Sequence, residues 1–281
     1  MSYKTILVHL DGSKRATEQL KLAANLAIKF DAHLIGAAVT GISAETYMPD
    51  TMGGEGLYLS SALDYLRDHA KLNLATFEAT ARSMGVQSFE KRVVDDEAGA
   101  GLSLHARYCD LAVIGQVNLD ALPPYLRADF PEYVLMNSGC PVLIVPYTGQ
   151  FDHVAKKVLV AWDASIEASR SVAAAIPLMQ KADIVHLVVY KTAHEVGVHG
   201  QQPGADIALR LARHGVNVEV SQQTLPSDID IGNALLSHAA DIGADLIVMG
   251  GYGHSRFREV ILGGVTHTIL NSMTIPVFMC H

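Results

Sequence analysis

Residues 244–250 read Ala-Asp-Leu-Ile-Val-Met-Gly, a short apolar run that ends in glycine. The same pattern occurs at 109–115 as Cys-Asp-Leu-Ala-Val-Ile-Gly. Continuous apolar runs of this kind are typical of strands that are buried on both faces of a parallel sheet. A glycine at the end of such a strand lets backbone N–H groups approach a bound anion closely. The two runs therefore predict parallel α/β structure in both halves of the chain.

The repetition extends to the ends of both halves. The segment 4–13, Lys-Thr-Ile-Leu-Val-His-Leu-Asp-Gly-Ser, recurs at 157–165 as Lys-Val-Leu-Val-Ala-Trp-Asp-Ala-Ser. Likewise, Cys-Pro-Val-Leu-Ile-Val at 140–145 recurs as Ile-Pro-Val-Phe-Met-Cys at 275–280, and the region between the glycine and this segment aligns without a gap. Self-similarity on this scale indicates that one domain has been duplicated.

The pattern predicts two tandem doubly wound α/β domains, 1–148 and 154–281, each a five-stranded parallel sheet flanked by helices. Strands are expected near 4–10, 33–40, 86–93, 110–115, 141–146, 157–162, 183–190, 216–224, 245–250 and 276–280. Helices are expected near 13–30, 57–84, 97–107, 128–137, 165–180, 204–214, 229–242 and 264–272. Ligands of such sheets bind at the carboxyl ends of the strands, beside the point where the strand order reverses. Four residues are expected there: Asp11, Gly115, Asp163 and Gly250.

Composition excludes several classes of function. The chain has 281 residues, of which 49% are apolar and 18% charged, with a formal net charge of −8. This acidic balance argues against nucleic acid and anionic membrane partners. The sequence has neither a signal-peptide pattern nor an apolar run approaching the roughly 18 residues of a membrane span, so a cytoplasmic protein is expected. Three scattered cysteines are too few for a disulfide framework or a zinc site.

The second half carries a distinctive glycine tract. Residues 250–266 read Gly-Gly-Tyr-Gly-His-Ser-Arg-Phe-Arg-Glu-Val-Ile-Leu-Gly-Gly-Val-Thr. Nine residues separate Gly253 from the pair Gly263-Gly264, and Pro276-Val277 opens the last strand. Together with Asp163 after the first strand of this half, the tract resembles that of the universal stress protein family. The order of elements is similar once per half, as in the tandem two-domain members.

The resemblance implies a stress-response regulatory protein with a Rossmann-like, adenine nucleotide alpha hydrolase-like fold. It implies a site for ATP, or for AMP or ADP, with or without Mg²⁺. The family's contacts carry over to the following residues of the second half, with Tyr190 as the alternative to Val189: Ala161, Trp162, Asp163, Val189, Met249, Gly250, Gly253, Gly263, Gly264, Val265 and Thr266.

The chemistry of the helix that begins here agrees with this assignment. Unpaired N–H groups and the positive end of the helix dipole, at Val265 and Thr266, suit a phosphate, and Thr266 adds a hydroxyl. Gly264 stands where many nucleotide-binding members carry Ser or Thr. Trp162 stands where a small residue is usual, and it either stacks on the adenine or fills the pocket. A further set has two interpretations, as phosphate contacts or as a solvated basic turn: His254, Arg256 and Arg258.

In the first half the glycines of the tract are replaced. Asn118 aligns with Gly253, and the pair Gly263-Gly264 aligns with Ala128 and Asp129. A carboxylate at Asp129 would repel a phosphate by roughly 1–4 kcal/mol at ~4 Å. Pro131, which aligns with Thr266, removes a backbone donor. The first half is therefore predicted to bind no nucleotide.

Enzymatic and structural alternatives remain. The chain lacks the Gly-x₄-Gly-Lys-(Ser/Thr) loop, and its tract offers a single acidic residue, Glu259, so a dedicated catalyst is not indicated. The thirteen histidines are dispersed, which favours surface residues over a metal site. The two alternatives are a slow ATPase and a nucleotide-free interaction scaffold. The apolar strands 141–146 and 276–280 are expected to pair, giving an intramolecular pseudo-dimer of the two halves that can dimerise further.

Overall fold

The computed structural model describes residues 2–13, 15–42, 55–123, 125–151, 153–191, 202–226, 229–253 and 264–281. The chain forms two compact units, Ser2–Val142 and Leu143–His281. The finer domain bounds, 1–148 and 154–281, stay sequence-based predictions.

The first unit is an open sheet of parallel strands with helices between them. In chain order its elements are β1 (Thr5–His9), α1 (Ala16–Phe30), β2 (His33–Val39), α2 (Glu55–Met84), β3 (Phe89–Val94), α3 (Ala98–Ala106), β4 (Leu111–Gly115), a 3₁₀ helix (Leu119–Ala121) and α4 (Phe130–Asn137). Strand β5 (Val142–Val145) begins at its end. The order is β3-β2-β1-β4, with parallel pairing between neighbours. The chain moves outward from β1 to β3 and then returns to the other side of β1. The switch point therefore lies between β1 and β4.

The second unit repeats this plan. Its elements are β6 (Lys157–Ala161), α5 (Ile166–Met179), β7 (Ile184–Lys191), α6 (Ala205–Arg213), β8 (Val218–Thr224), α7 (Ile231–Ile242), β9 (Leu246–Gly250), α8 (Gly264–Ser272) and β10 (Val277–Cys280). The strands follow one another as β10-β9-β6-β7-β8 and pair in parallel. Here the switch point lies between β6 and β9.

The predicted doubly wound α/β fold is confirmed. Each predicted strand and helix has a counterpart within three residues of its expected bounds. The central strands are fully buried, as their uninterrupted apolar runs require; Val158, Leu159 and Val160 have no exposed surface. No helix within the described ranges is both long and apolar enough to cross a membrane.

A repeated aspartate explains part of the duplication in physical terms. Asp110, just before β4, accepts hydrogen bonds from the backbone N–H groups of Lys4 and Thr5 at 2.7 and 2.9 Å. Asp245, just before β9, accepts equivalent bonds from the N–H groups of Lys156 and Lys157. In each unit one carboxylate thus fixes the start of one central strand against the start of its neighbour. The carboxyl ends of both strands therefore lie at the same edge of the sheet.

Candidate functional site

The candidate site lies at the carboxyl ends of β6 and β9. Strand β6 ends at the half-buried Ala161, and the half-buried Trp162 follows. The N–H of Trp162 donates to the carbonyl of Val188 at 3.0 Å, which holds this loop against β7. Trp162 therefore lies directly after the carboxyl end of the central strand β6.

Asp163 shapes the turn that enters α5. Its Oδ1 accepts a hydrogen bond from the N–H of Ser165 at 2.9 Å, and Ala164 between them has a positive φ of 62°. Ser165 in turn caps α5, because its hydroxyl oxygen accepts from the N–H of Ala168 at 3.1 Å. The exposed carboxylate of Asp163 is thus both a turn former and a group available to a ligand at the edge of the sheet.

Gly250 is required by the packing of β9 against α5. A Cβ built on this glycine would lie 2.6 Å from the backbone nitrogen of Ala168 and 2.9 Å from the carbonyl carbon of Glu167. A Cβ on Gly253 would lie 3.1 Å from Oε2 of Glu167. The sequence pattern suggests a bound anion as the reason for these glycines. The contacts with the first turn of α5 add a second reason for them.

The turn after β9 is tied to α8 and β10. The N–H of Gly251 donates to the carbonyl of Cys280 at 2.9 Å. The N–H of Tyr252 donates to the hydroxyl oxygen of Thr266 at 3.2 Å. The ring Nδ1 of His281 lies 3.1 Å from the carbonyl oxygen of Gly251. Thr266 is 4% exposed, and the bond that its hydroxyl oxygen accepts ties the turn after β9 to the first residues of α8.

The structure brings most of the predicted residues to one edge. Gly250 and Gly253 face the first turn of α5, while Gly264 and Val265 open α8 and are half-buried. Met249 is 5% exposed, and Val189 has no exposed surface because it packs toward Gly204. Several predicted residues lie outside the described residues: Gly263, His254, Arg256, Arg258 and Glu259.

In the first unit the same edge is filled by rings. His9 aligns with Ala161, and Phe130 aligns with Val265. Their ring centroids are 4.9 Å apart, and the residues are 5% and 2% exposed. Burial lowers the pKa of His9, against an opposing effect of the Asp11 carboxylate. Within the described part of the chain, Nδ1 of His9 has no hydrogen-bond partner.

Two polar side chains close this edge further. Gln19 is buried, and its Nε2 donates to the carbonyls of His9 and Val113, bridging β1 and β4 at the switch point. From α2, Asn73 donates to the carbonyl of Leu10 at 3.2 Å. The crevice of the first unit is therefore bridged by its own side chains.

Asp129 does not carry an uncompensated charge. Its carboxylate accepts two hydrogen bonds of 2.8 Å from the guanidinium of Arg127, and these hold the pKa of Asp129 below its usual range. The repulsion of a phosphate expected from sequence is thus offset by Arg127. The buried rings of His9 and Phe130 therefore distinguish this edge from that of the second unit more clearly than the charge of Asp129 does.

Four residues at the two edges are not among those predicted from the sequence: Glu167, His9, Phe130 and Gln19. Glu167 is 6% exposed although it lies in the first turn of α5. Aligning the two halves residue by residue would have found His9 and Phe130, since each replaces a smaller side chain. Among the described residues, no group of three or more His, Cys, Asp or Glu side chains is arranged to hold a metal ion.

Comparison with known proteins places this geometry in context. The model of the universal stress protein family matches residues 2–146 and again 155–281. A universal stress protein of Synechocystis sp. is 28% identical over 301 aligned positions, covering 98% of each chain. Another, from Methanocaldococcus jannaschii, is 29% identical and covers 51% of this chain and 82% of its own length. The crystal structure of a universal stress protein from Archaeoglobus fulgidus has a TM-score of 0.74 at 18% identity, covering 98% of this chain and 95% of that one.

Proposed function

The chain belongs to the universal stress protein family, and we propose that its second unit binds one adenine nucleotide while its first unit binds none. The protein is then a regulatory protein of the stress response whose state depends on the nucleotide it holds. The nucleotide is ATP, ADP or AMP, with Mg²⁺ accompanying the charged phosphates.

One observation carries this proposal, the contrast between the two switch points. At the second, the ends of β6 and α8 present the small side chains of Ala161, Gly264 and Val265. At the first, His9 and Phe130 occupy the aligned positions with buried rings. A ligand needs a concave space with convergent polar groups. The smaller side chains at the second edge support the proposal that the nucleotide binds there.

The proposed contacts follow the chemistry of the edge. The first N–H groups of α8 have no partners within their helix and, with the helix dipole, suit a phosphate. The hydroxyl of Thr266 adds a donor beside them. The ring of Trp162 offers a flat apolar surface for the base, and the carboxylate of Asp163 accepts from a nucleoside N–H or hydroxyl group.

Isothermal titration calorimetry of the full chain with ATP and AMP tests the proposal. We expect one nucleotide per chain. Replacing Gly264 with Asp should abolish binding, because a carboxylate at the start of α8 repels a phosphate yet suits the helix itself. Gly264→Ser adds a hydroxyl without charge and serves as the matched control, which should bind at least as well as the unaltered protein. If none of the adenine nucleotides produces a heat of binding, the nucleotide-free interaction scaffold is the remaining alternative.

Hydrolysis is measured separately. The proposal treats the protein as a binder, so phosphate release should stay at the level of a buffer control under saturating Mg²⁺ and ATP. Release that depends on Asp163 would favour the slow ATPase.

We further propose a cytoplasmic location and a pseudo-dimer of the two halves, with homodimers of this 30.2 kDa chain detectable by light scattering as a doubled mass.

A further inference from the structure

Glu167 places a carboxylate at the candidate site. It is the second residue of α5 and is 6% exposed. Its Oε2 would stand 3.1 Å from a Cβ on Gly253, so this oxygen lies directly against the turn that follows β9. Within the described ranges, neither a hydrogen bond nor an ion pair joins this carboxylate to another group.

A carboxylate in this position selects among ligand groups. An ionised carboxylate only accepts hydrogen bonds, and a nearby donor or cation stabilises it. The ribose of a nucleotide brings hydroxyl donors. Phosphate groups at neutral pH bring mainly acceptors and negative charge. A sugar hydroxyl next to Glu167 would donate to its carboxylate, whereas a phosphate there would be repelled.

Asp163 adds to the same balance. Its carboxylate is exposed at the end of β6, and one of its oxygens is engaged by the N–H of Ser165. Asp163 and Glu167 thus flank Ser165, giving the entrance of α5 two negative charges. Helix α5 contains one arginine, Arg170, and its guanidinium donates a hydrogen bond to the backbone carbonyl of His281.

We infer that Glu167 is a specificity-determining residue, which makes the site prefer an adenine nucleotide with one phosphate over metal-free ATP. The inference rests on the proposed function, since it concerns the ligand of the same site. Mg²⁺ bound to ATP neutralises part of the phosphate charge and lessens the discrimination. The protein then distinguishes AMP from free ATP by charge and not by the base, which the two share.

Calorimetric titration of AMP, ADP and ATP in buffer without divalent cations measures the discrimination. We expect the unaltered chain to bind AMP about tenfold more tightly than ATP, the size of effect that two like charges produce near a protein surface. Glu167→Gln keeps the shape and removes the charge, so it should reduce the ratio of the two dissociation constants by about tenfold. The change should come mainly from tighter ATP binding.

The matched control is Asp206→Asn. Asp206 also lies in the first turn of a helix of the second unit, α6, and it is exposed. The substitution removes one negative charge of the same kind away from the glycine turn. It should leave the ratio for AMP and ATP unchanged. Circular dichroism melting confirms that both variants fold.

A second measurement uses the unaltered protein. Saturating Mg²⁺ should tighten the binding of ATP and leave that of AMP as it was, so that the two dissociation constants converge. An AMP-to-ATP ratio that stays the same in Glu167→Gln, within about twofold, overturns the inference while nucleotide binding itself stands. If neither the unaltered chain nor Glu167→Gln binds any adenine nucleotide, both the inference and the proposed function are overturned.

Discussion

The rings of His9 and Phe130 lie 4.9 Å apart at an interplanar angle of 43° and occupy the edge of the first sheet. Each replaces a smaller residue of the second unit, Ala161 and Val265 respectively. The two halves thus differ at this edge by two side chains placed on a shared backbone plan, and this difference supports the proposal of one nucleotide per chain.

Introducing the two aromatic residues into the second unit tests whether they prevent nucleotide binding. In the double variant Ala161→His with Val265→Phe, we expect nucleotide binding to the second unit to disappear. The rings would fill the edge as they do in the first unit. Calorimetry with AMP measures the loss, and unchanged far-UV circular dichroism shows that the fold persists.

The reciprocal variant is the control. His9→Ala with Phe130→Val opens space in the first unit, but Gln19 still bridges β1 and β4 there. The number of nucleotides bound per chain should therefore remain one. A stoichiometry of two would show that the rings alone exclude the ligand from the first unit.

The buried imidazole of His9 predicts a dependence of stability on pH. Burial lowers its pKa in the folded protein, whereas the unfolded chain has the ordinary value of about 6.5. Below that value the unfolded state binds a proton that the folded state does not, so the free energy of unfolding falls as the pH decreases. The loss begins near pH ~6.5 and continues down to the lowered pKa.

His9→Leu should remove this contribution. We expect the melting temperature of the variant to fall less steeply than that of the unaltered chain when the pH is lowered from about 7 to about 5. The exposed His153 offers a control, and His153→Gln should keep the original slope. Equal slopes for the unaltered protein and His9→Leu would show that His9 does not resist protonation in the fold.

The contact between β9 and α5 predicts unequal effects at the two equivalent glycines. Gly250→Ala would place a Cβ 2.6 Å from the backbone nitrogen of Ala168, and relieving this contact requires a shift of the helix backbone. We expect a loss of about 1–3 kcal/mol of stability in chemical denaturation. Gly115→Ala meets instead the Oε1 of Gln19 at 3.0 Å, the end of a flexible side chain, so it should lose less. Equal losses would contradict this account.

Sequence patterns predicted the fold well because its signals are local. Apolar runs identify strands, and the repeated Asp before β4 and β9 aligns the halves. The role of that aspartate, as an acceptor for two N–H groups of the neighbouring strand, depends on a partner about a hundred residues away in sequence. Such a pairing has no local signature.

The site was less predictable because its decisive contacts join distant segments. Glu167 follows a helix cap, a position usually solvated, and the close approach of Gly250 and Gly253 to α5 contributes to its burial. The pair of Arg127 with Asp129 is close in sequence, yet its bidentate geometry depends on how the loop turns before α4. Glycines in the tract suggested a ligand, whereas packing accounts for part of their presence.

Trp162 decides between the two sequence-based interpretations of the pocket. It is the only tryptophan of the chain, and it is half-buried at the switch point, with its N–H bonded to the carbonyl of Val188. Its fluorescence therefore reports on this edge alone.

If the indole stacks on adenine, AMP should shift or quench the emission, and Trp162→Ala should weaken binding by about tenfold or more, as the loss of stacking on one base does. If the indole fills the pocket, Trp162→Ala should bind more tightly than the unaltered chain. We expect the first result, because the half-buried Trp162 precedes the exposed Asp163 at the end of β6 and keeps surface that a base can cover. Tighter binding by Trp162→Ala, with Trp162→Phe behaving like the unaltered protein, would assign Trp162 to closing the pocket.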